Sequence, residues 1–158
     1  MTDSTDADLD RLRIVADYQF GGGAGTALLP PGEPIDVKRS SGGRPRQLFV
    51  GGDRVASYGT DGRFTLGYAG GRRIQAALSE PAYRVQVGEE SVPFVREGRN
   101  VFAKFVRGVD ETIRPGDEVL IEGPDGSLLG VGRAELSAAG MRAFSTGMAV
   151  KVRDGRDS

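Results

Sequence analysis

Cysteine and histidine are both absent from this chain of 158 residues. Their absence excludes a disulfide, a thiolate nucleophile, a Cys/His zinc site and an imidazole base. A carboxylate-only site, for magnesium or for glycosyl transfer, is not excluded on these grounds. No pair of acids stands at a legible catalytic spacing, so no catalytic residue, metal ligand or cofactor is expected. Lysine is scarce: Lys38, Lys104 and Lys151 are the only three, and every other basic residue is arginine. No apolar run approaches the roughly 20 residues of a membrane span. The acidic start, Met1-Thr2-Asp3-Ser4-Thr5-Asp6, lacks the apolar core of a signal peptide. The expectation is a cytoplasmic protein without a membrane partner.

Net charge is −1, but the charge is unevenly distributed. Residues 1–10 carry four acids and no base, residues 11–78 carry a net +5, and residues 79–158 a net −2. A basic middle can hold phosphate even when the total is near neutral, because binding follows local potential.

Leu9, Leu12, Val15 and Ala16 fall at helical spacing and predict a helix over 7–19, which Gly21-Gly22-Gly23 ends. Strand-like pieces follow at 35–39, 47–50, 54–58 and 63–68, separated by Gly-rich hairpin turns, and then a helix over 71–78. Ser79-Glu80-Pro81 reads as a boundary. Beyond it, Tyr83, Val85 and Val87 alternate with polar residues, a short helix covers 92–97, and a strand covers 101–106. Pro115-Gly116-Asp117 and Pro124-Asp125-Gly126 read as turns around buried strands, and Ser137 as a helix cap paired with a Leu136/Met141 staple. In the last strand Met148, Val150 and Val152 are expected to face inward, with Ala149, Lys151 and Arg153 outward. The organisation expected is a flexible acidic N-terminus over 1–8, an α+β domain over 9–80, a β-rich domain over 82–154 and a flexible tail over 155–158.

The residues from Tyr83 to Arg153 resemble a PUA domain. The matching pieces are the opening strand, the helix ending at Gly98, the Pro-Gly-Asp turn, the strand Gly130-Val131-Gly132-Arg133-Ala134, and the closing Ala149-Val150-Lys151-Val152-Arg153. The wording Phe94-Val95-Arg96-Glu97-Gly98-Arg99-Asn100-Val101-Phe102-Ala103-Lys104 is similar to the PUA domain of the archaeal tRNA-guanine transglycosylase and archaeosine synthase group. Ala16-Asp17-Tyr18-Gln19-Phe20-Gly21 resembles the small domain that precedes PUA there. The resemblance implies an α+β pre-PUA domain followed by a PUA-like pseudo-barrel of short mixed strands with two short helices. It also implies a structured-RNA partner, tRNA foremost, without the Cys/His-bearing catalytic barrel of that group. Position by position, it places RNA contacts at Gly98, Arg99, Asn100, Val101, Phe102, Ala103 and Lys104, with Lys151 and Arg153.

Physical chemistry is compatible with those positions. Glycine admits close backbone approach, and Lys104, Lys151 and Arg153 carry charge. Phe102 is open between stacking on a base and filling the barrel, and Gly98 between an RNA contact and a helix end. Arg133 reads as an edge charge. Arg44, Arg46, Arg72 and Arg73 are open between an extended RNA surface and solvated turns. The glycines at 21–23 and 25 fail the dinucleotide pattern, with Thr26 at its last small position. Two other functions stay open: a protein-interaction adaptor or detached tail subunit of a tRNA-modifying enzyme, and a translation or ribosome-associated RNA-binding factor.

Overall fold

The computed structural model describes residues 4–158. Residues 1–3 of the N-terminus expected to be flexible lie outside the described residues; from Ser4 the chain is helical. The chain forms two compact units, one up to Leu78 and one from Ser79.

The first unit runs α1 (Ser4–Phe20), α2 (Ala24–Leu28), β1 (Ile35–Arg39), β2 (Pro45–Val50), β3 (Asp53–Tyr58), β4 (Phe64–Leu66) and α3 (Tyr68–Ala77). Its four strands form an antiparallel sheet in sequence order. In α1, Leu9, Leu12, Ala16 and Phe20 are buried, as their spacing of three and four requires. Asp8 is buried with them, held by Arg11 and, at 2.9 Å, by Arg39 of β1. The sequence predicts α3 over 71–78. The helix instead begins at Tyr68 and includes Gly70 and Gly71. A Cβ on Gly70 would collide with the Val55 carbonyl, so this glycine is what lets α3 lie directly on β3. Packing overrides the low helix propensity of glycine here.

The second unit runs β5 (Arg84–Val87), a 3-10 turn (Glu89–Ser91), α4 (Val92–Arg96), β6 (Val101–Phe102), a 3-10 turn (Ala103–Phe105), β7 (Val106–Val109), β8 (Glu118–Glu122), β9 (Leu128–Ala134), α5 (Ala138–Ala143) and β10 (Met148–Gly155). Its strand order is β6-β10-β9-β8-β5-β7, with β5 parallel to β8 and the other pairs antiparallel. Val85, Val87, Val119, Ile121, Leu129 and Val150 are buried in its core, each contributing about 1.5–3 kcal/mol by leaving water. The α+β class and the pseudo-barrel agree with the reading from sequence.

Three local expectations need correction. The continuous strand over 101–106 is broken by the 3-10 turn. The physical reason is pairing. Val101–Phe102 pair with β10 and Val106–Val109 with β5, so the turn carries the chain from one edge of the sheet to the other and nearly closes it. Ala149, expected outward, is fully buried, because the register with β6 shifts between Met148 and Val150. The tail, expected to be loose, continues the fold: β10 extends to Gly155, Arg156 N–H donates to Leu129 O at 2.9 Å, and Asp157 N–H donates to Arg96 O at 2.8 Å. The Ser137 cap is as expected, its hydroxyl accepting from Gly140 N–H at 3.1 Å.

Candidate nucleic-acid interface

The loop after α4 is set by a helix-ending glycine. Gly98 has φ 94°. Gly98 N–H donates to Val95 O and Arg99 N–H to Phe94 O, both at 2.9 Å. This pairing of the last carbonyls is a Schellman ending, which needs the left-handed residue at Gly98. Ser158 lies where a Cβ on Gly98 would point, 3.3 Å from it. Gly98 therefore shapes the loop and is partly covered by Ser158.

The loop and the 3-10 turn border an open cavity of about 370 Å³ lined by Glu90, Ser91, Phe94, Val95, Arg99, Asn100, Phe102 and Phe105. Phe94 and Phe102 stand 50% and 45% exposed, so neither is spent on the core. The Arg99 guanidinium lies 5.7 Å from the Phe94 ring centroid, and the Lys104 ammonium 5.1 Å from that of Phe105. An aromatic wall edged by cations suits a base or sugar with its phosphate. Val101 and Ala103 are buried and hold the loop from beneath. Asn100 also acts inward, its Oδ1 accepting from Val152 N–H at 2.9 Å.

Lys151 and Arg153 lie elsewhere in this unit. With Arg133 and Val152 they line a second concavity of about 220 Å³. Lys151 faces Arg133 across the β9–β10 pair. Arg133 is paired with Glu135 at 2.8 Å, and Arg153 holds Glu118 through two contacts of 2.6 Å. Neither Lys104 nor Lys151 has a carboxylate partner among the described residues. Of the nine positions expected from sequence, Arg99, Asn100 and Phe102 meet at the first cavity with Lys104 beside it, and Lys151 and Arg153 meet at the second. Phe94, Phe105 and Arg133 were not expected there. Among the described residues no cluster of three or more acids is placed to hold a metal ion, and no helix is long and apolar enough to cross a membrane.

Comparison with known proteins places this geometry. Residues 10–81 match the patch-forming domain C2 of tRNA-guanine transglycosylase, and residues 83–156 match the PUA domain. The chain carries a C2 domain followed by a PUA domain. This C2–PUA chain is 44% identical over 154 residues to the tRNA-guanine(15) transglycosylase of Methanothermobacter thermautotrophicus, covering 97% of the chain and 23% of the relative. It is 45% identical over 145 residues to that of Pyrococcus furiosus, covering 91% and 24%. The chain thus spans about a quarter of the length of the curated relatives it matches. In fold, it is similar to a hypothetical protein from Pyrococcus horikoshii (TM-score 0.75, 22% identity, 96% and 92% of the two chains). It is also similar to a conserved PUA domain protein from Thermoplasma acidophilum (TM-score 0.68, 18% identity, 99% and 92%).

Proposed function

We propose that this protein is a non-catalytic RNA-binding module that takes structured RNA, tRNA foremost, and serves tRNA modification. The observation that carries the reading is the cavity walled by Phe94, Phe102 and Phe105 and edged by Arg99 and Lys104. A splayed base or sugar stacks on the phenylalanines, while Arg99, Lys104 and Lys151 take phosphates. Gly98, Asn100, Val101 and Ala103 position that surface, and Arg153 acts through its pairing with Glu118. The names of the relatives, transglycosylases acting at guanine 15 of tRNA, support tRNA as the RNA class.

A second reading, an adaptor for a tRNA-modifying enzyme, is favoured by one observation. Ile14 and Tyr18, four residues apart on α1, stand 68% and 91% exposed.

The test is equilibrium binding to tRNA and to an unrelated RNA duplex at two salt concentrations, with the parent and with Lys104→Ala/Lys151→Ala. Preference for tRNA is expected, with affinity falling as salt rises. The double variant should lose about two from the logarithmic salt slope, roughly one per phosphate contact. Equal binding by parent and variant at matched salt would show that these lysines do not make the contact.

A further inference from the structure

The four-stranded sheet of the first unit has one face that the core does not use. Two rows cross it. Lys38, Gln47, Ser57 and Thr65 align across all four strands, and Asp36, Phe49 and Arg54 align across the first three. None of these seven residues is buried, whereas Leu48, Val50, Val55, Ala56, Phe64 and Leu66 in the same strands are. A register shift between β2 and β3 explains how Arg54 and Ser57 share that face despite their odd spacing. Their side chains meet there, Arg54 Nη1 donating to Ser57 Oγ at 3.0 Å.

An antiparallel sheet ordinarily turns one polar face to water. Two features separate this face from that ordinary case. Phe49 stands in a central strand, the one apolar residue in the two rows, with a cation from each neighbouring strand. The Lys38 ammonium lies 5.9 Å from its ring centroid, and Arg54 is its register partner. Charge pairing in this unit is also selective. Arg11, Arg13, Arg39 and Arg73 are paired with Asp8, Asp10, Asp8 and Glu33. Among the described residues Lys38, Arg44, Arg46 and Arg54 have no carboxylate partner, and all four lie on β1–β3 or the turn between β1 and β2. Four of the unit's uncompensated cations therefore lie at the sheet, with Asp36 the acid on its exposed face, while Arg72 lies on α3.

We infer that this sheet face, centred on Phe49 with Lys38 and Arg54, is a second RNA-contacting surface that takes a single-stranded segment. A base stacks on Phe49, the two cations take the flanking phosphates, and Gln47, Ser57 and Thr65 offer hydrogen bonds to base edges or ribose. Neighbouring strands are about 4.8 Å apart, so four strands give a platform about 14 Å across, enough for two or three bases. The surface lies within the C2 domain alone and does not depend on the PUA cavity.

The test uses the full chain and an unstructured RNA octamer carrying 4-thiouridine, with affinity read by fluorescence anisotropy and crosslinks mapped by mass spectrometry. Phe49→Leu, which keeps apolar bulk and removes the stacking face, and Lys38→Gln, at an exposed site, should each weaken octamer binding about fivefold. The same losses are expected when the two substitutions are placed in the Lys104→Ala/Lys151→Ala protein. That result separates this surface from the PUA cavity whichever way the PUA reading falls. Crosslinks should map within residues 36–57. Unchanged octamer affinity in both variants, or crosslinks confined to residues 94–105, would overturn the inference and leave the face to a protein partner.

Discussion

The Arg153 guanidinium reaches over β9 from β10 to the Glu118 carboxylate on β8, with Nη1–Oε2 and Nη2–Oε1 both at 2.6 Å. Glu118 is buried to 4% exposure, and Arg153 is the cation that offsets its charge. The two nitrogens meet the two oxygens in a fork that lysine cannot reproduce. Arg153→Ala is expected to lower folding stability by about 1–3 kcal/mol, less than the roughly 3–5 kcal/mol for breaking a fully buried pair because Arg153 is partly in water. Urea denaturation measures it. Arg153→Lys should recover only part of the loss. Lys151→Ala, two residues away and exposed, should leave stability within about 0.5 kcal/mol while weakening RNA binding.

Asn100 stands in for a missing strand residue. β6 is only two residues long and pairs with β10 only at Met148 and Val150, and the Asn100 amide oxygen takes the Val152 N–H at 2.9 Å beyond it. Asn100→Ala is expected to cost about 1–2 kcal/mol by stranding that donor. Amide hydrogen exchange at Val152 should accelerate first, ahead of the β8–β9 core. Protection at Val152 unchanged from the parent would count against this role.

Gly98→Ala separates the helix-ending role of this glycine from an RNA contact. At φ 94° a side chain is strained, and the new Cβ would lie 3.3 Å from the Ser158 Cβ. A loss of about 1 kcal/mol or more is expected, seen as a fall in Tm. RNA affinity measured well below that Tm should change little, because Ser158 already occupies the space a Cβ would enter.

Asp125 offers a pH test confined to one turn. The Ser127 hydroxyl, and after it the Ser127 N–H, donate to the Asp125 carboxylate at 2.7 and 3.0 Å and hold its pKa below the ordinary aspartate value. A folded pKa below the unfolded one contributes stability above the unfolded value, and that contribution is lost as pH falls through the folded one. A carboxyl NMR titration should show Asp125 titrating low, and Ser127→Ala should move it up. An Asp125 titration unaffected by Ser127→Ala would refute the cause.

Periodicity made most of the elements readable. Leu9, Leu12 and Ala16 announced α1, Val85 and Val87 announced β5, and Ser137 announced α5, because each signal is local and its period reports which face meets the core. The motif order from Tyr83 to Arg153 announced the PUA fold and the loop around Gly98. Where the neighbour was distant in sequence, local reading failed. Val101–Val106 satisfies a strand pattern, yet it serves two opposite sheet edges, and only closure of the sheet breaks it. Gly70 lies outside the helix expected over 71–78 and joins it because Val55 is beneath it. Arg153 looks like a free outward cation until Glu118, 35 residues earlier, is found under its guanidinium. Sequence alone thus determined most of the segments that form strands and helices and which residue types are available for RNA. Tertiary structure decided which of those residues are spent on one another, since pairing and burial depend on partners that the local pattern does not contain.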